Sequence, residues 1–214
     1  MAELEMKTLT GQVNPHFIFN SLNSIRKYIW ENRREDASEY LIKFARLIRL
    51  VIENPQQASI KLSDEIDALR LYIETEHRRN NQKFYYAIPV SENIDSNKTY
   101  ISPLLLQPYV ENAIWHGLSL KDERGKLSRT IQKKQNSLIC IIDDDGIRRT
   151  KAAEINLNSV PKTSLAMNIS SQRIAWLQDG EGFAATVSIS DKFNGDPATG
   201  TEVVLTLPLI INEA

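Results

Sequence analysis

The chain has 214 residues, of which 42% are apolar and 25% charged, and its net charge is -1. That length permits one large domain or two small ones, each with a core. The balance of charge leaves no electrostatic footprint for nucleic acid or an acidic membrane surface, and a single cysteine, Cys140, excludes an internal disulfide.

Cys140 lies in the apolar run Leu138 to Ile142 and reads as a small core residue. A lone cysteine fits a reducing, cytoplasmic compartment. No run approaches the roughly 20 apolar residues of a membrane span. The polar start, Met1 to Lys7, has no signal-peptide pattern. The expectation is a soluble protein, or the cytoplasmic portion of a membrane-bound receptor whose spans lie outside this chain.

Up to about residue 80 the pattern is helical. Leu22, Ile25 and Ile29 recur at helical spacing, as do Leu41, Phe44, Ile48 and Val51, then Leu62, Ile66, Leu69 and Ile73. Asn54-Pro55 separates the second helix from the third, and Ser63-Asp64 stands where short polar side chains cap free N–H groups. A helical hairpin with an apolar stripe predicts pairing with a second copy, hence a homodimeric bundle. Residues 1–79 are assigned to this unit.

Residues 80–214 have a mixed α/β texture. Lys83 to Pro89 reads as a strand and Pro103 to Leu118 as a helix. Leu127 to Lys133 and Leu138 to Asp143 read as strands around a polar turn. Gly146 to Thr163 reads as a loop and Ser164 to Leu177 as a helix. Phe183 to Ser190 and Thr201 to Leu209 read as strands, the latter alternating around Val203, Leu205 and Leu207.

Two strings carry chemistry. The first is Gln12-Val13-Asn14-Pro15-His16-Phe17-Ile18-Phe19-Asn20. Pro15 cannot donate an N–H and crowds the carbonyl of Gly11, which predicts a kink before His16. Gln12, His16 and Asn20 share a helical face, where the amides could orient the imidazole. A neutral imidazole is a competent nucleophile near pH 7. On these features alone, a half-buried histidine beside a kink is the alternative.

The second string runs from Ile101 through Pro103-Leu104-Leu105-Leu106-Gln107-Pro108-Tyr109-Val110-Glu111-Asn112-Ala113-Ile114-Trp115-His116-Gly117. Asn112 and His116 are one turn apart, with Glu111 beside them, and the carboxamide and carboxylate oxygens of Asn112 and Glu111 suit Mg²⁺. Gly117 would let the chain leave the helix in a left-handed conformation. Spacing alone also allows an amphipathic surface helix. Further on, the acidic turn Asp143-Asp144-Asp145-Gly146 follows a strand.

The first string resembles the phosphoacceptor motif of the LytS-like family of sensor histidine kinases, Q-x-N-P-H-F-x-F-N-x-L-N-x-I. It matches at Gln12, Asn14, Pro15, His16, Phe17, Phe19, Asn20, Leu22, Asn23 and Ile25. The second resembles the N box of the GHKL ATPase superfamily in that family's form, P-x-L-L-L-Q-P-x-V-E-N-A-x-x-H-G. The resemblance is collinear from about residue 10 to 210. It implies an α+β chain: a dimerising helical hairpin followed by a GHKL-type (Bergerat) α/β sandwich with a mostly antiparallel sheet.

The resemblance also implies roles. His16 would accept phosphate from ATP. Asn112 would hold Mg²⁺ against the ATP phosphates, with Glu111 and His116 lining the pocket. Asp144 and Gly146 would belong to the D-x-G-x-G box, with Asp144 accepting the adenine amino group. Lys162, in a segment similar to the family's K-S-L-G-M, is the nearest cation, and Thr201 belongs to the G-T before the last strand. The implied function is autophosphorylation of a two-component sensor kinase, with transfer to a response regulator. Two positions depart from the pattern: Arg148 replaces the second glycine of the D-x-G-x-G box, and Ala166 the glycine of the lid segment. They define the alternative, a signalling scaffold that keeps the fold and the dimer but binds ATP poorly. His77, in a charged stretch, reads as solvated. Trp30, Trp115 and Trp176 read as core or interface residues.

Overall fold

The computed structural model describes residues 15–53, 57–147, 174, 185–192 and 199–211. Helix α1 (Pro15–Trp30) and helix α2 (Arg34–Glu53) form a hairpin. Asn32 turns the chain at φ 57°. Its N–H bonds the carbonyl of Ile29, and the Arg33 N–H bonds that of Tyr28. This double closure satisfies carbonyls at the helix end, with asparagine in the left-handed position.

Residues three and four apart supply the buried face of the hairpin: Phe17, Ser21 and Tyr28 on α1, and Tyr40, Phe44, Leu47 and Val51 on α2. That face is covered by helix α3 (Leu62–Arg79). The Phe17 ring lies 5.9 Å from Phe44 and 5.3 Å from Tyr72 of α3. The hairpin is therefore one part of a three-helix unit within a single chain. Phe19, Leu22, Ile29, Leu41, Ile42 and Ile52 remain exposed on it, as does Trp30 at 91%. Ser63 and Asp64 do not cap α3. Its N-cap is Lys61, in extended conformation with no side-chain cap bond, so both residues fall inside the first turn. There Asp64 and Glu65 place negative charge at the positive end of the helix.

Strand β1 (Ile60–Lys61), strand β3 (Thr99–Ile101) and strand β8 (Ile210–Ile211) make a small antiparallel sheet in the order β1-β3-β8. Among the described residues the main sheet has five strands: β2 (Phe84–Ala87), β4 (Gly125–Lys134), β5 (Ser137–Asp144), β6 (Thr186–Asp191) and β7 (Thr201–Pro208), in the order β2-β4-β5-β7-β6. Among the described strands of this sheet only β2 and β4 pair in parallel, and the parallel bridge of Val90 to Ile131 follows them. Along β5 and β7, Leu138, Cys140, Ile142, Val203, Leu205 and Leu207 alternate onto the buried face. The two-residue period thus makes one face core. Cys140 is in this core, and burial pushes its thiol up to about 12.

The helix predicted from Pro103 starts later, as α4 (Gln107–Asn112), and continues as a π-helical turn over Ala113–Leu118. Residues 103–106 form a tight turn with Leu104 at φ 54°. Fully buried Glu65 shapes it, its carboxylate accepting the N–H groups of Leu104 (2.8 Å) and Leu106 (3.2 Å). His77 is not solvated: its ring is half-buried edge-on against Phe84 (5.2 Å) and Tyr86 (5.3 Å). Burial lowers its pKa. The kink expected before His16, the loop expected beyond Ile147 and the helix expected from Ser164 to Leu177, apart from helical Ile174, fall on residues outside the described ones.

Arg129 faces the core from β4 with no exposed surface, and among the described residues none of its guanidinium nitrogens has a hydrogen-bond partner. Burial pulls its pKa down to about 10. A buried charge without bonds of its own is costly. Arg129→Met should therefore raise stability by about 2 kcal/mol, measured by urea unfolding. A clear loss of stability would show that the charge is compensated.

Candidate nucleotide site

Strand β5 ends at Asp144, which is 3% exposed. Its Oδ1 accepts the N–H of Gly146 at 2.8 Å. Burial pushes the carboxyl up to about 7; the Gly146 hydrogen bond opposes the rise and the neighbouring Asp143 adds to it. Three glycines leave room around it. A Cβ on Gly117 would stand 2.9 Å from Asp144 Oδ1, and one on Gly146 would stand 2.4 Å from the Gly117 Cα. Gly200, at φ +141°, lies against the Asp144 carbonyl. The Ile147 N–H closes the contact by donating to the Gly117 carbonyl at 3.2 Å.

Gly117 does not end its helix in a left-handed conformation. It lies within the π-helical turn, and Gly200 is the described glycine with positive φ. Gly117 is small because Asp144 and Gly146 pack against it. The π-helical turn also alters the relation of Asn112 to His116. Its hydrogen bonds span five residues, as from the Ser119 N–H to the Ile114 carbonyl at 2.8 Å, so four residues no longer make one turn. Asn112 and Glu111 are half-buried at the start of this turn. His116 is exposed near its end, and partial loss of water around its ring lowers its pKa. Thr201 is buried and pairs across β5–β7 with Asp144.

The structure thus brings Asp144, Gly146 and Thr201 together with the Gly117 end of the second string. His16 lies on α1, two residues into the described helix. Lys162, Arg148 and Ala166 lie outside the described residues. Two lysines beside the site carry no motif. Lys192 Nζ donates to Asp143 Oδ1 at 2.8 Å and to the Asp144 carbonyl at 3.3 Å. Lys121 pairs with Asp145 at 3.1 Å, and Asp145 accepts the Lys126 N–H at 2.6 Å. Only strand pairing and loop closure place these groups.

A second polar group lies between α3 and the π-helical turn. Glu76 is fully buried and paired with Arg79, whose guanidinium lies 4.1 Å over the Trp115 ring. Burial raises the Glu76 pKa; Arg79 opposes this and Glu111 adds to it. Tyr72 is fully buried close by. Burial holds its hydroxyl well above the usual range, helped by the charges of Glu76 and Glu111.

Among the described residues, no three His, Cys, Asp or Glu side chains gather as a metal site. Mg²⁺ commonly takes one or two protein oxygens and completes its shell with water and substrate phosphate. The amide oxygen of Asn112 and the carboxylate of Glu111 fit that donor chemistry. Among the described residues, no helix is long and apolar enough to cross a membrane.

Residues 4–84 match the family model described as histidine kinase. The sensor protein LytS of Enterococcus faecalis is 28% identical over 187 residues, covering 85% of this chain and 31% of that protein. The sensor histidine kinase BtsS of Escherichia coli K12 is 30% identical over 165 residues, covering 76% and 29%. Among solved structures, the catalytic domain of the histidine kinase ThkA aligns at a TM-score of 0.47 and 13% identity, covering 72% of this chain and 97% of that one. This chain belongs to the LytS-like family of histidine kinases, and its described residues form an α+β fold in which N-terminal helices join a mostly antiparallel sheet. It spans less than a third of the length of these curated relatives.

The Asp144 shift makes a pH prediction. A carboxyl whose pKa is raised on folding favours the folded state at low pH, and that contribution is lost as pH rises from 3.8 towards 7. Asp144→Asn keeps an acceptor for Gly146 but cannot ionise. The variant should be more stable than the native chain at pH 8, by a few kcal/mol on the order of magnitude of such shifts. The gap should shrink towards pH 4, as read by melting temperature against pH. A gap that does not change with pH would contradict the shift.

Proposed function

We propose that the chain is the ATP-dependent kinase core of a two-component sensor, in which His16 is phosphorylated and passes its phosphoryl group to an aspartate of a response regulator. One observation carries this reading: Asp144, buried at a strand end, meets the Gly117 end of the α4 turn through a backbone contact that only glycines allow. Beside this contact the Asp144 carboxylate offers an acceptor, and the amide and carboxylate oxygens of Asn112 and Glu111 lie earlier on the same helical segment.

The residues divide the work. The carboxylate of Asp144 accepts from the exocyclic amine of adenine, and Gly146 and Thr201 shape the floor beneath it. Asn112 and Glu111 hold the phosphate end, where Mg²⁺, when bound, neutralises phosphate charge. His116 and Lys162 are further pocket residues in this reading. Such a site works mainly by positioning and by electrostatic stabilisation. The exposed apolar face of α1 and α2, with Phe19, Leu22, Ile42 and Trp30, is the surface proposed for a homodimer.

The test is incubation with γ-labelled ATP and Mg²⁺. The native chain should take up acid-labile, base-stable label, and His16→Gln should take up none. Label that persists in His16→Gln would place the acceptor elsewhere; an unlabelled native chain would overturn the kinase reading. Calorimetry with a non-hydrolysable ATP analogue should show at least about tenfold weaker binding by Asp144→Asn, the loss of one buried charge-assisted hydrogen bond. Equal affinity would remove Asp144 from the pocket.

A further inference from the structure

We infer that His16 takes its phosphoryl group from the nucleotide bound by its own chain, so that autophosphorylation runs in cis. This inference rests on the kinase reading above. The argument begins at Phe17, the next residue after His16. Its side chain is 4% exposed and packs on Tyr72 of the same chain at 5.3 Å between ring centroids. Tyr72 is fully buried, and its hydroxyl responds to the charges of Glu76 and Glu111. Glu111 is the immediate neighbour of Asn112, the proposed phosphate-end residue. Glu65 near the start of α3 binds the turn before α4, and Arg79 near its end lies over Trp115, so Tyr72, midway along α3, stands between the start of α1 and the segment that carries Asn112.

The direction of the nucleotide agrees. Gly117 touches Asp144, so the base end of the pocket lies at the late part of the turn. Asn112 stands five residues earlier, at the start of the π-helical turn. A nucleotide with its base at Asp144 and its phosphates at Asn112 points its γ end towards Tyr72 and α1. Further contacts hold this arrangement. Arg79 bridges buried Glu76 and the Trp115 ring, and on the hairpin side the Tyr40 hydroxyl reaches Ser21 Oγ of α1 at 3.4 Å. Phe19 and Leu22 are exposed on the other side of α1. A second copy docking there leaves the Phe17 side to its own chain.

In the transfer step, a ring nitrogen lone pair of neutral His16 forms a P–N bond to the γ-phosphorus. The bond from that phosphorus to the bridging β–γ oxygen breaks, and ADP leaves with the electron pair. The phosphoimidazolium then loses its remaining ring N–H proton to water.

Mixed complexes test the inference. A chain carrying His16→Gln, with an intact nucleotide site, is co-expressed with a differently tagged chain carrying Asn112→Asp, with an intact acceptor. Complexes purified through both tags are incubated with γ-labelled ATP and Mg²⁺, and the two chains are separated by size. Cis transfer leaves both chains unlabelled, while a native chain paired with the His16→Gln chain is labelled to the level of the native protein. Label on the Asn112→Asp chain in the mixed complex, absent when that chain is purified alone, would overturn the inference and leave the kinase reading standing. An unlabelled native chain would overturn both. Asp144→Asn in place of Asn112→Asp gives a second donor-deficient chain, altered at the base end, and must give the same pattern.

Discussion

The site depends on one close approach of backbone to backbone, between Gly117 at the end of the π-helical turn and Gly146 after β5. A side chain on either would collide with the other or with Asp144 Oδ1. Because neither has one, the carboxylate of Asp144 is sealed from water and still faces the helix. Desolvation then raises its pKa, and the Gly146 N–H limits the rise. The pairing of Asp144 with Thr201 and the hold of Lys192 on its carbonyl fix the strand end from the other side.

Helix α3 connects this site to the N-terminal hairpin. Near its start, Glu65 shapes the turn that leads into α4. In its middle, Tyr72 receives Phe17. Near its end, Glu76 and Arg79 meet Trp115. Buried polar groups on one helix thus contact both parts of the chain. Removing one partner of such a buried pair exposes the other to an uncompensated cost, so the two parts are energetically joined through α3.

Much of this was legible in order along the chain. Helical periods marked the three described N-terminal helices, and the alternation around Val203, Leu205 and Leu207 marked β7. The resemblance of the acidic turn after an apolar strand to the D-x-G-x-G box marked Asp144. Other features were not legible. Glu65 lies about 40 residues before the turn it organises, and no local pattern pairs a first-turn glutamate with distant N–H groups. His77 read as solvated because its sequence neighbours are charged; its packing partners, Phe84 and Tyr86, become neighbours only after a chain reversal through Asn81 and Gln82, both at positive φ. Gly117 read as a helix terminator because glycine often is one, whereas here it answers steric pressure from another strand.

The sequence by itself determined which residues could do chemistry and where most of the longer helices and strands would fall, though not the short strands β1, β3 and β8, because side-chain type and apolar period are local properties. It also carried the resemblance that family membership now supports. Tertiary structure alone decided that the hairpin packs on α3 within one chain, that α4 starts late and runs into a π-helical turn, and that Asp144 sits sealed against Gly117. These outcomes depend on contacts between residues tens of positions apart, where burial and steric exclusion, not local preference, set the free energy.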